Sequence, residues 1–254
     1  RADRLYLASL YQLWRFNNVL ENGESYEGYD RLYIPHLGWT TGDVDAHDIG
    51  IDGRGRPVFV NTLFSCLARP SDKANFDVVW TPPFITRLAP EDRCHLNGLA
   101  MYEGDPRWVT MISTSDVAEG WRDHRLDGGL VMDVCSNEVV CEGLSMPHSP
   151  RWYRGRLWLL NSGSGELGHV DLQTGAFEPL CFVPGYARGL AFHGRYALVG
   201  LSKARNQSFS GLPLDDVLEK RNAQARCGIV VVDVETGDLL HHLRIEGVVD
   251  ELFD

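Results

Sequence analysis

The chain has 254 residues, 44% of them apolar and 23% charged, with seven tryptophans. That composition excludes the low hydrophobicity of a disordered chain and supplies a core for one domain spanning residues 1–254. The formal net charge of −11 argues against a nucleic-acid partner, whose phosphates need clustered Lys and Arg.

The opening RADRLYLASLYQLWRFNN lacks the unbroken apolar stretch of a signal peptide. No run in the chain approaches the ~20 apolar residues that span a bilayer. No membrane partner is expected, and a cytoplasmic location is the default. This opening segment and YDRLYIP read as the outer three strands of a four-stranded unit. Residues 47–84 supply four further strands, from HDIGID to FDVVW.

Three later units share one turn. VMDVCSNEVV around Asp133, HVDLQTGAFEP around Asp171 and VVDVETGDLLHH around Asp233 each place an alternating apolar strand, an Asp, a short polar turn with Asn or Gly, and a second strand in that order. Upstream of each lies another strand (RWVTMIS, RLWLLNS, RYALVGLS), and before that a further one (HLNGLAMY, HSPRWY, ARGLAFHG). Four short antiparallel strands recurring at about 40 to 60 residues describe the blades of an all-β propeller. Five blades are visible, one incomplete, and VVDELFD reads as the start of a new innermost strand. The chain is therefore expected to be a piece of a longer protein, with a missing N-terminal segment and closing strand, whose complete ring holds about six blades.

The six cysteines, Cys66, Cys94, Cys135, Cys141, Cys181 and Cys227, form no C-x-x-C pair, and reduced, mostly buried thiols are expected. If the turn at Ser136 pairs Cys135 with Glu138, Cys141 faces Met132 and cannot bridge Cys135.

The strings TTGDVDAHDIGID, PPFITRLAPEDRCHLNGLAM, GLSMPHSPRWYRGRLWLLNSGSGELG, PGYARGLAFHGRYALVGLSKAR, FSGLPLDD and LRIEGVVDELFD cover nearly the whole chain. In them the sequence resembles a family of bacterial conserved hypothetical proteins that occurs alone or attached to tetratricopeptide repeats. The resemblance implies a propeller extending beyond both ends of this chain, and offers no catalytic residues to carry over.

In a propeller the innermost strands line the axis. Aligning the units on those strands sets His47, His95, His148 and Tyr186 at one position, with Ile49, Asn97, Pro150 and Arg188 two residues on and on the same side. Three imidazoles with an open position suit a divalent transition metal such as catalytic zinc, held by His47, His95 and His148, with Asp45 and Asp48 orienting His47. Such a metal would polarise a substrate oxygen or activate water while Arg188 stabilises negative charge, as in a hydrolase, lyase or oxidase acting on a small polar substrate. Without a metal, His95, His148, Asn97, Tyr186 and Arg188 offer donors to a small anion or sugar. A protein-interaction platform using loop residues such as Trp121 and Phe209 is the third reading. The bland roles are water-bonded axial histidines, an Arg188–Asp48 salt bridge and an Asn97 backbone bond at Gly98.

Two long loops, STSDVAEGWRDHRLDGG and SKARNQSFSGLPLDDVLEKRNAQARCG, are expected over the histidine face. Trp121, Arg122, Lys203 and Arg205 are within reach of the axis, and residues 215–223 after Pro213 form a lid helix. Other catalytic signals are thin. NSGSGELG joins two strands rather than opening a helix, and Ser149 cannot serve as nucleophile to the adjacent His148, which points to the opposite face. His169, His193, His241 and His242 are given structural or solvent-facing roles.

Overall fold

The computed structural model describes residues 3–203 and 211–253. These fold into five antiparallel sheets set as blades in a ring. Blade one has three strands, β1 (Arg4–Ala8), β2 (Gln12–Asn18) and β3 (Tyr33–Thr40). Blade two comprises β4 (Ala46–Ile51), β5 (Pro57–Asn61), β6 (Cys66–Arg69) and β7 (Asp77–Trp80). Blade three comprises β8 (Leu96–Tyr102), β9 (Asp105–Met111), β10 (Gly129–Asp133) and β11 (Val139–Leu144). Blade four comprises β12 (Pro147–Tyr153), β13 (Arg156–Asn161), β14 (Glu166–Val170) and β15 (Phe177–Phe182). Blade five comprises β16 (Tyr186–His193), β17 (Tyr196–Ser202), β18 (Gly228–Asp233) and β19 (Leu239–Arg244).

The expected count of six is corrected by these five sheets. The inner strands β4, β8, β12 and β16 stand side by side around the axis, and β1 lies beside β4. Residues 248–253, the described part of the VVDELFD segment read from sequence as the start of a new innermost strand, form no strand. Instead they lie along β17 through the Ser202 hydroxyl and Leu252 backbone and through the Lys203 amide and Asp250 carbonyl, and Phe253 reaches a groove against β1.

Blade packing follows from the two-residue period of a strand. Along β13, Leu157 and Leu159 enter the interface with blade three, beside Ala100, Trp108 and Val131. Their neighbours Trp158 and Leu160 enter the interface with blade five, beside Leu190, Val199 and Val232. Both faces of a middle strand are thus buried, which is why these strands read as nearly unbroken apolar runs.

The three shared turns have one geometry. The amides of Asn137, Gly175 and Gly237 donate to the carbonyls of Asp133, Asp171 and Asp233, each at 2.8 Å. Each Asp side chain also accepts the amide two residues on, from Cys135, Gln173 and Glu235. Asn137, Gly175 and Gly237 have φ of 61°, 75° and 79°, the left-handed conformation that Asn and Gly tolerate. All six cysteines are free thiols, and Cys141 pairs across the sheet with Val131 rather than Met132.

Candidate axial site

The register of the inner strands sets the histidines differently from the sequence alignment. Ile49, Leu99, Pro150 and Leu190 are equivalent, being opposite or beside corresponding residues of the second strands. Counting back, His47, Asn97, His148 and Arg188 share a position, while His95 lies two residues upstream with Asp45, Met146 and Tyr186. Three of these enter their blades in the left-handed region, with φ of 46°, 49° and 48° for Asp45, His95 and Met146. Equal spacing from the histidines failed as a guide because His95 belongs to the blade entrance, just ahead of β8.

The fold still gathers the residues singled out. The rings of His47 and His95 meet edge to face with centroids 5.0 Å apart. His148 lies within electrostatic reach of both and of Arg188. Asn97 Nδ2 approaches His148 Nε2 at 3.4 Å, while its Oδ1 accepts the Thr110 hydroxyl at 2.7 Å. Tyr186 sits edge-on to His148 at 5.6 Å, and the Arg188 guanidinium is 5.2 Å from the Tyr186 ring and 4.8 Å from that of Phe253. His148 and Arg188 are only 3% and 6% exposed, so the site is covered rather than an open channel mouth.

Each imidazole is fixed through Nδ1. His47 Nδ1 donates to the Asp45 carbonyl at 3.0 Å and to Thr62 Oγ1 at 2.9 Å. The Thr62 hydroxyl proton goes to the Leu96 carbonyl at 2.6 Å, which makes Oγ1 the acceptor of the histidine bond. His148 Nδ1 donates to the Met146 carbonyl at 2.8 Å, the same bond to the residue two positions upstream. His95 Nδ1 donates to Asp92 Oδ2 at 2.8 Å, and that oxygen also accepts Trp121 Nε1 at 2.8 Å. With Nδ1 protonated, Nε2 of a neutral ring carries the lone pair. Burial, followed by the nearby His95, pushes His47 down to about 4. Burial and then the Arg188 charge hold His148 well below the usual histidine range. Both rings are neutral at pH 7.

The axis is tied below these residues. The Asp48 carboxylate accepts Arg151 Nη1 and Nη2 at 2.7 and 3.1 Å, together with the amides of Leu99 and Ile49. Arg151 of blade four is therefore the ion-pair partner of Asp48, where the sequence suggested Arg188, and the bond to β8 links three blades at once.

The first long loop and the described part of the second close over the site. A 3-10 helix, Gly120–His124, presents Trp121, which stacks on His95 at a centroid distance of 4.1 Å, and the Arg122 guanidinium lies over the Trp121 ring at 4.6 Å. The lid helix α1 (Pro213–Lys220) buries Leu214 and Leu218 with Trp121, Met146 and Tyr186. Lys203 is engaged by Asp250, and Arg205 and Phe209 lie outside the described residues. His241 and His242 are exposed on β19, while His169 bonds Arg156 on the outer part of blade four.

Sequence reasoning missed Asp92, Thr62 and Arg151. Only Asp92 left a signal, a carboxylate three residues before His95 in EDRCH. Among the described residues, no group of three or more His, Cys, Asp or Glu side chains is arranged to hold a metal ion. His47, His95 and His148 do not form such a group. No helix among the described residues is long and apolar enough to cross a membrane.

A search of curated proteins finds no match. Among solved structures, the fold is similar to a gluconolactonase from Xanthomonas campestris, with TM-score 0.60 and 14% identity over 96% of this chain and 73% of that one. It is also similar to a luciferin-regenerating enzyme, with TM-score 0.55 and 14% identity over 96% and 75% of the two chains. A protein of unknown function from Bacteroides caccae matches with TM-score 0.52 and 11% identity over 99% and 76%. At these identities the likeness establishes a shared fold alone. The family model described as a domain of unknown function (DUF4915) matches residues 1–254, and the chain belongs to that family.

Proposed function

We propose that the axial residues bind a small anionic molecule and that His95 accepts a proton from it. The observation that supports this reading is the fixing of three imidazoles through Nδ1, with His47 and His148 held neutral within electrostatic reach of the Arg188 cation and His95 bonded to the Asp92 carboxylate. Arg188 supplies charge for an anion in a site from which water is largely excluded, where such attraction is strong. His95 has the carboxylate partner of a general base: Asp92 orients the ring and stabilises the imidazolium formed on proton transfer. In that step a proton leaves a carbon next to the substrate carbonyl for His95 Nε2. The electron pair of the broken C–H bond passes to the carbonyl oxygen as an enolate, which Arg188 stabilises. Eliminations of the lyase class begin this way. His47 and His148, held neutral, serve as hydrogen-bond acceptors and add no charge that would compete with Arg188.

Pyruvate is the test molecule, since it is a small anion with exchangeable methyl protons. Exchange of those protons in deuterium oxide, followed by NMR, should be faster with the protein than with imidazole buffer and should fall to the buffer rate in His95→Gln. Exchange no faster than buffer, or equally fast in the variant, contradicts the assignment of His95.

A further inference from the structure

We propose that the inner edge of β1 binds an extended, apolar peptide segment of a partner chain as a fourth strand of blade one. This goes beyond the reading of the axial residues and does not depend on it. In every other blade the strand equivalent to β1 carries an inner strand on that edge: β5 carries β4, β9 carries β8, β13 carries β12 and β17 carries β16. Blade one runs β1-β2-β3, with no further strand of the described residues on β1. β1 meets β4 of the next blade as β5 meets β8 and β13 meets β16, so it holds the place of a second strand and its inner edge faces the axis. Along that edge runs a groove of about 380 Å³, walled by Tyr6, Leu7 and Ala8 of β1, by Ile49 of β4 and by Phe253.

The backbone of β1 dictates what the groove takes. The bonds from the Ser9 amide to the Gln12 carbonyl at 2.8 Å and from the Asn18 amide to the Asp3 carbonyl at 3.0 Å fix the hydrogen-bonded pairs with β2. Such pairs alternate along an antiparallel ladder, so Leu5 and Leu7 bond Phe16 and Trp14, while the amides and carbonyls of Arg4, Tyr6 and Ala8 point into the groove. A row of donors and acceptors at alternate residues is the complement of another strand. Edges that proteins keep unpaired carry Pro, Lys or a bulge; RLYLA has none of these, and its register with β2 is unbroken. The two faces set the chemistry of the incoming strand. Ala8 and Ile49 pack against the buried Leu13, Val44 and Phe59 on one face, while Leu5 and Leu7, on the other, are 50% and 51% exposed. A strand apolar on both faces extends that core and covers the two leucines. A second copy's β1 arrives with β2 and β3 attached, and the groove, bounded by β4 and Phe253, suits a single strand.

The test uses a synthetic peptide with the sequence of β8, LNGLAMY, acetylated and amidated so that attraction to the acidic chain cannot account for binding. Hydrogen exchange of the β1 amides, followed by NMR, reads the edge residue by residue. In the free chain the amides of Arg4, Tyr6 and Ala8 should exchange rapidly and those of Leu5 and Leu7 slowly. Saturating peptide should slow exchange at Arg4, Tyr6 and Ala8 by about tenfold or more. N-methylation of the peptide at its odd or at its even positions should abolish binding in one series and spare it in the other, because only alternate amides face β1. No protection of Arg4, Tyr6 and Ala8 by the peptide, or equal behaviour of the two methylated series, overturns the proposal. Slow exchange at these amides in the free chain, with a dimer in sedimentation, also overturns it and gives the edge to a second copy.

Discussion

Burial of His47 makes the fold acid-sensitive by an amount that can be worked out. Its imidazole titrates near 6.5 in an unfolded chain and is pushed down to about 4 in the folded one, first by burial. A group whose folded pKa is lowered leaves the unfolded state binding more protons between those two values, so stability is present above pH 6.5 and is lost as pH falls towards 4. Between pH 7 and pH 5 the linkage relation gives a loss of about 2 kcal/mol from this residue. His148, lowered in the same direction by burial and Arg188, adds to the loss. Urea unfolding at pH 7 and pH 5 measures it directly. His47→Asn retains a side-chain amide to meet the Asp45 carbonyl and removes the titration, so its stability should fall by about 2 kcal/mol less between the two pH values than that of the natural sequence. An equal fall in both proteins would refute the reasoning, since the lowered carboxylates Asp52, Asp171 and Asp233 are common to the two.

Arg151→Met leaves Asp48, whose side chain is 2% exposed, without its cation, and should destabilise the fold by about 3 kcal/mol in urea unfolding. Leu159→Ala, in the packed interface of blades three and four, should cost about 2 to 5 kcal/mol by the same assay. Gly175→Ala puts a Cβ on a residue with φ of 75° and 3.1 Å from the Val140 carbonyl, and should lower Tm by several degrees, corresponding to about 1 kcal/mol. Asp92→Asn should slow pyruvate proton exchange by about 100-fold while acetate affinity is retained, because the amide disturbs the tautomer of His95 without removing Arg188.

The blades were legible because their signals are local. Asp133, Asp171 and Asp233 each specify a turn through their own side chain and an Asn or Gly four residues on, and the strands flanking them alternate or run apolar as their two faces require. Trp121 and the helix after Pro213 were legible from loop length and composition. The alignment of His95 with His47 and His148 failed because a left-handed residue precedes the inner strand and bulges interrupt β4, β8 and β12, so a two-residue count does not survive from one blade to the next. The Asp48–Arg151 bond joins residues 103 apart in sequence and leaves no local trace. The blade count failed because residues 250–253 have the composition of a strand, while their hydrogen bonds run to Ser202 and Lys203.

The central claim is that the axial imidazoles carry their protons on Nδ1 and their lone pairs on Nε2. A long-range nitrogen–proton correlation spectrum of the histidine rings, assigned with His47→Asn, His95→Gln and His148→Gln, measures this. At pH 7 each ring should carry a proton on Nδ1, and those of His47 and His148 should be neutral and remain so at pH 5.5. A proton on Nε2 of His47 or His148 at pH 7, or an Nδ1 without a proton in any of the three rings, would contradict the account.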